Sequence, residues 1–182
     1  MIVAQEKRKT NITEYILYLW QVEDMIRALA FDMDKIETHL VNQYPVDDKQ
    51  KSEIREWYLN LVVMMQKEQV QQTGHLQFVV NLVNELNQFH LALLQTTIDP
   101  GYCRMYEEIR SDIEMVRQKS INTHNDMEVL LNSLYLILML KMAQKDISEG
   151  TRQAVWKFGG FMGYLSKLFK LYESGDLELT VN

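Results

Sequence analysis

Residues that turn a chain are scarce in this sequence. Seven glycines and two prolines stand among 182 residues, about 5% of the chain where about 12% is usual. Sandwiches, barrels and dinucleotide-binding sheets need such residues at short intervals, so the deficit argues against them and for long helices with few loops. Cysteine is scarcer still. Cys103 stands alone, which excludes an intrachain disulfide and leaves nothing pointing to an oxidising compartment. Long apolar runs are also missing. The longest, Leu134–Leu140, is flanked by Asn132-Ser133 and Lys141 and falls far short of the ~20 residues that span a bilayer. The stretch Met1-Ile2-Val3-Ala4-Gln5-Glu6 holds no apolar core of signal-peptide length. A cytoplasmic protein with no membrane segment is expected.

A strong charge of one sign is lacking too. The net charge is −6, spread as −2 over each of 1–44, 45–98 and 99–147 and zero over 148–182. The densest basic cluster, Glu6-Lys7-Arg8-Lys9, reads as a solvated lead-in to a helix. Nucleic-acid binding is therefore not expected.

The motifs of common chemistries are absent. The histidines are His39, His75, His90 and His124, and no two are three or four residues apart. One helix thus presents no histidine pair to a metal. The residues three before them are Ile36, Gln72, Asn87 and Ile121, so the Glu-x-x-His of di-iron bundles is missing as well. Gly-x-Ser-x-Gly, phosphate-loop and dinucleotide fingerprints do not occur. Cys103 falls in the first turn of a helix, where a thiol is acidified, yet no base is assigned beside it. No catalytic residue, metal or cofactor is expected.

Helical periodicity is abundant. Asn11 with Glu14 reads as an N-cap and capping box. Apolar residues then recur at 12, 19, 26, 33 and 40 and at 15, 22, 29 and 36, a heptad seam over four heptads. Asp34 with Glu37 offers a restart after Phe31, and Tyr44-Pro45 ends the stretch. Asp47 or Asp48 caps a second helix with the face Ile54, Trp57, Tyr58, Leu61, Met64 and Met65. Thr73-Gly74 breaks it, and the period resumes through Leu76, Val79, Val83, Leu86, His90 and Leu93. Asp99-Pro100-Gly101 is the clearest boundary, with Asp99 as cap and Pro100 at the first helical position. Tyr102 to Val116 follow at helical spacing, then a loop over Ile121–Asn125. From about Asp126 to Gln144 the pattern is apolar on nearly all sides, as expected of a helix at the centre of a bundle. Ser148 caps the last helix, Gly175 suits its left-handed end, and Leu177–Val181 is a short tail.

Three features inside these helices invite a functional reading. His90 lies on an apolar face, where a core histidine bonded to a neighbouring helix or a ligand contact both fit. Asn132 and Ser133 interrupt the most apolar helix and need partners if buried. Gly159, Gly160 and Gly163 sit mid-helix, each at about 1 kcal/mol of helix stability relative to alanine. Close approach of another helix, from this chain or a second copy, is the simplest compensation.

The opening Ile2-Val3-Ala4-Gln5-Glu6-Lys7-Arg8-Lys9 and the stretch from Glu14 through Trp20 to Asp24 resemble an uncharacterised Bacteroidetes family classed as a domain of unknown function, of the DUF4924 type. Tyr44-Pro45-Val46, Glu53 to Tyr58, Gly74-His75-Leu76-Gln77 and Gly175-Asp176-Leu177-Glu178-Leu179 carry the same resemblance. It implies a small bacterial cytoplasmic protein and supplies no activity and no site residues.

The expectation is an all-α, single-domain bundle of five or six mostly antiparallel helices over 1–182, with 1–10 and 176–182 as less ordered tails. A non-enzymatic protein acting through protein–protein contacts, as a homodimer, is the first functional reading. A small-molecule-binding bundle, or an enzyme, with an apolar pocket near His90 or Asn132 is the alternative.

Overall fold

A computed structural model describes residues 2–119 and 123–179. Its regular structure is all helical. Eight α-helices occur among the described residues: α1 (Ile2–Thr10), α2 (Ile12–Ala28), α3 (Met33–His39), α4 (Asp48–Lys67), α5 (Gln77–Thr96), α6 (Pro100–Arg117), α7 (Asp126–Met142) and α8 (Glu149–Glu173). A 3-10 turn at Val41–Gln43 separates α3 from α4.

Five or six helices was too low a count, for two physical reasons. Ile2–Thr10, within the stretch 1–10 expected as a tail, form α1. The long heptad stretch is also cut in two. Ala30 and Phe31 adopt left-handed backbone, with φ of 54° and 60°. Asp32 then starts α3 as its N-cap, accepting from the Asp34 and Lys35 amides. The seam still marks inward positions: Leu19, Val22 and Ile26 on α2 and Ile36 on α3 are buried.

Several boundaries follow the capping chemistry expected of them. Asp47 accepts from the Gln50 amide at 2.8 Å, Asp99 from Tyr102 at 2.9 Å, and Ser148 from Thr151 at 3.3 Å. Gly74 and Gly175 take φ of +89° and +80°, which a Cβ would oppose. Of the expected Ile121–Asn125 loop, Ile121 and Asn122 lie outside the described residues. Asn125 caps α7 through the Glu128 amide at 2.9 Å. Thr180, Val181 and Asn182 of the expected tail also lie outside them.

The chain divides into two compact units. One comprises residues up to Arg8 with Glu14–Asn81, the other Lys9–Thr13 with the residues from Leu82 onward. In the first, Ile54, Tyr58, Leu61, Val62 and Met65 form the buried face of α4. Tyr18 and Tyr58 lie together with Tyr44, and burial, joined by the neighbouring hydroxyls, raises the pKa of both Tyr18 and Tyr58. The loop before α5 is pinned from α2. The buried Glu23 carboxylate accepts the Leu76 amide at 2.9 Å and meets His75 Nδ1 at 2.5 Å. The His75 ring stacks on Trp20 at 4.4 Å, and Arg27 donates to the carbonyls of Val70 and Gly74.

In the second unit α6, α7 and α8 pack on one another. Phe158, Phe161, Met162, Leu165 and Phe169 recur at helical spacing and are fully or almost fully buried. Each such side chain contributes roughly 1.5–3 kcal/mol by leaving water. Thr13 joins this unit by sharing a 2.7 Å hydrogen bond with the Ser166 hydroxyl.

Candidate functional site

Two places in the second unit break the rule of apolar inside and polar outside. The first surrounds His90, which is completely buried. Four helices converge there. Nδ1 of His90, on α5, lies 2.6 Å from the Tyr102 hydroxyl on α6. Nε2 faces Asp126 Oδ2, in the first turn of α7, at 3.6 Å, a distance at which the contact is electrostatic rather than a hydrogen bond. The ring meets Tyr102, Tyr106 and, from α8, Phe161 edge-on. Asp126 in turn accepts from Tyr106 Oη at 2.6 Å and from Arg117.

The electrostatics follow from these contacts. The His90 imidazole, then the Tyr106 hydroxyl and the Arg117 guanidinium, hold the Asp126 carboxyl at about 2 against the opposing effect of burial. Burial, with the bond to Asp126 next, pushes Tyr106 up to about 12. His90 is thus a core histidine bonded to a neighbouring helix. Its Nε2 has no hydrogen-bond partner among the described residues, and Tyr106, Arg117 and Asp126 also line an open hollow of about 620 Å³ with Arg110 and Glu114. Sequence reasoning picked out His90 but missed Asp126 and Arg117, whose only signal was opposite charge at the two ends of one loop.

The second place is apolar and exposed. α7 was expected at the centre of the bundle, and only its first half behaves so, with Met127, Val129, Leu130 and Leu131 buried. Of the run Leu134–Leu140 only Ile137 is buried. Leu136 is 58% and Met142 66% exposed. Asn132 is accordingly exposed rather than a buried polar group, because the second half of the helix is not enclosed. Ser133 satisfies itself by donating to the Val129 carbonyl at 2.7 Å.

Facing this half of α7 is the outer side of α8. Trp156 is 81% exposed. A Cβ built at Gly160 or Gly163 would meet nothing within 4 Å, and one at Gly159 only Leu134 Cδ2 at 3.9 Å. Among the described residues, the close helix approach expected at these glycines is not made at Gly160 or Gly163. An open groove of about 1010 Å³ runs along Ile137, Lys141, Val155, Trp156, Gly159 and Gly160. A second, of about 430 Å³, is lined by Met115, Ser133, Leu136, Ala154 and Phe158. Lys157 and Asp112 pair at 3.2 Å beside them. Charged side chains share the larger groove, with Glu149, Arg152 and Lys157 beside Trp156, and the exposed apolar groups make this surface a candidate contact site.

The other residues singled out in the sequence are not brought together. Cys103 is half-buried in the first turn of α6. His75 is held by Glu23. His39 and His124 are exposed. Among the described residues no three of His, Cys, Asp and Glu gather as a metal site, and no helix is long and apolar enough to cross a membrane.

The regular structure of the described residues is thus all helical, and its two candidate sites are the His90 cluster and the exposed apolar groups of α7 and α8. The chain matches over residues 1–176 the family described as Domain of unknown function (DUF4924), and it belongs to that family. No curated protein and no solved structure matches it.

Proposed function

We propose that this protein is non-enzymatic and acts through protein–protein contact, pairing with a second copy of itself across the α7–α8 face. The observation that carries this reading is Trp156, 81% exposed on a groove shared with Ile137 and Val155. An indole left in water forfeits roughly 2–3 kcal/mol of available burial, and aromatic anchors of this kind dominate interface energetics. The cytoplasm remains the proposed location on the strength of a single cysteine, and the charge of −6 argues against nucleic acid as partner. Light scattering at tens of micromolar tests the pairing: the reading expects twice the mass of one chain, and a strict monomer contradicts it.

A second reading rests on the 430 Å³ groove near Asn132, whose apolar lining suits a small apolar molecule. Stabilisation against heat by such compounds, lost in Leu136→Gln, would favour it over pairing.

A further inference from the structure

We propose that the groove between α6, α7 and α8 binds a medium-chain fatty acid, its tail between the helices and its carboxylate at Lys119 and the first turn of α8. This rests on the second reading above, that the groove takes a small apolar molecule, and names the class of ligand.

The groove continues the core. Phe158, Phe161, Leu165 and Phe169 mark the inward face of α8. One and two turns before Phe158 the same face carries Ala154 and Gly150, and Ser133 of α7 lines the space with them. Small residues thus stand where the bundle elsewhere places aromatic ones, and about 430 Å³ is left open between walls of Met115, Leu136, Ile137 and Phe158. This side of α8 is turned away from Trp156, since Ala154 lies about 200° around the helix from it.

Length and width select the tail. The groove follows α6 from Asp112 to Lys119, a rise of about 10 Å. Extended chain atoms advance about 1.2 Å per bond, so about eight to ten carbons span it. A helix about 10 Å across would fill the whole volume with roughly one turn, so a partner helix does not fit.

Charge selects the head. Among the described residues, Asp112 and Lys119 are the charged side chains that line the groove. Lys157 engages Asp112 at 3.2 Å, whereas no carboxylate among the described residues pairs with Lys119. Asp99 meets Tyr164 and Asp112 meets Lys157, so α6 runs antiparallel to α8 and Lys119 comes level with its first turn. There Ser148 takes the Thr151 amide, and the Glu149 and Gly150 amides have no acceptor within the helix. A Cβ at Gly150 would meet nothing within 4 Å, which leaves this backbone open to an approaching carboxylate. The Glu149 carboxylate is turned to the Trp156 side, where it accepts from Gln153 at 3.3 Å. An ammonium and open amides at one end, with hydrocarbon over the rest, match a carboxylate on an alkyl chain.

Calorimetric titration with octanoate, hexanoate and 1-octanol, each below its micellar range, tests this. Wild type is expected to bind octanoate, with affinity rising about two- to fourfold per methylene from hexanoate. Lys119→Ala is expected to weaken octanoate about tenfold and to leave 1-octanol unchanged. Ala154→Phe fills the groove and is expected to abolish binding of both, with far-UV circular dichroism checking its fold. If that variant does not fold, Gly150→Leu, placed in open space, decides in its stead and must weaken octanoate. No binding of octanoate or 1-octanol to wild type would overturn the groove reading and this proposal together. 1-Octanol bound as tightly as octanoate, or octanoate indifferent to Lys119→Ala, would leave the groove reading standing and overturn the anionic ligand. Equal affinity for hexanoate and octanoate, or binding that survives the filled groove, would overturn the placement of the tail.

Discussion

The His90 cluster and the α7–α8 face are opposite exceptions to the same rule. One is polar and buried, the other apolar and exposed. Around His90 most partners come from the chain itself: Tyr102, Tyr106, Asp126 and Arg117 engage one another across helix ends, while His90 Nε2 keeps no hydrogen bond among the described residues. At Trp156 the described residues leave the indole 81% exposed, and the backbone along the same face of α8 is open at Gly160 and Gly163. A buried polar cluster engaged by several helices holds structure in place. An apolar group left in water stabilises nothing until something covers it. Function is therefore read from the second exception, although a titratable cluster is the usual place to look.

The sharpest way to break the comparison is to remove each centre in turn. His90→Ala leaves the Tyr102 hydroxyl and Asp126 without their ring and opens a cavity, so unfolding in urea is expected to lose about 3 kcal/mol. A loss below about 1 kcal/mol would mean the cluster is not structural. Trp156→Ala is expected to do the reverse. Association weakens about 100-fold, which corresponds to roughly 2.7 kcal/mol. The unfolding free energy of the dilute chain stays within about 0.5 kcal/mol, and sedimentation and urea titration on the same variant separate the two.

Acid sharpens the contrast further. Asp126 is held at about 2 in the folded chain, below the ~3.9 of an unfolded aspartate. A lowered folded-state pKa stabilises the fold fully above pH ~4, and that stabilisation fades as pH falls towards ~2. The Asp126 side chain keeps 17% of its surface in solvent, so screening limits the effect to on the order of 1 kcal/mol. Asp126→Asn should flatten this part of the pH–stability curve while leaving association untouched. The smallest effect is expected at Asp112→Asn, which breaks the 3.2 Å pair with Lys157. An exposed pair of this kind contributes about 0.5 kcal/mol or less, and a larger loss of association would place Lys157 inside the contact.

Much of the fold was legible in side-chain chemistry that acts locally. Asp47, Asp99 and Ser148 cap where their position before an apolar period requires, and Gly74 and Gly175 turn left-handed where the helices stop. The break after Ala28 was harder to read because the heptad spacing continues through it. Only the left-handed backbone at Ala30 and Phe31 reveals two helices in one seam. The enclosure of α7 was not legible at all. Periodicity reports that a helix is apolar all round, not whether neighbours reach its second half, so Asn132 looked buried and is not. Glu23 was overlooked for the converse reason. A carboxylate among Leu19, Val22 and Ile26 on one helix face departs from the pattern, and its partners, Leu76 and His75, lie some 52 or 53 residues away.

The central claim is that Trp156 is exposed in the single chain and covered in the working protein. The fluorescence difference between wild type and Trp156→Phe isolates this indole from Trp20 and Trp57. Followed against protein concentration with acrylamide as quencher, it should shift to the blue and become protected as mass doubles. An emission maximum and quenching constant that stay at the values of a solvated indole, at concentrations where the chain is dimeric, would contradict the account.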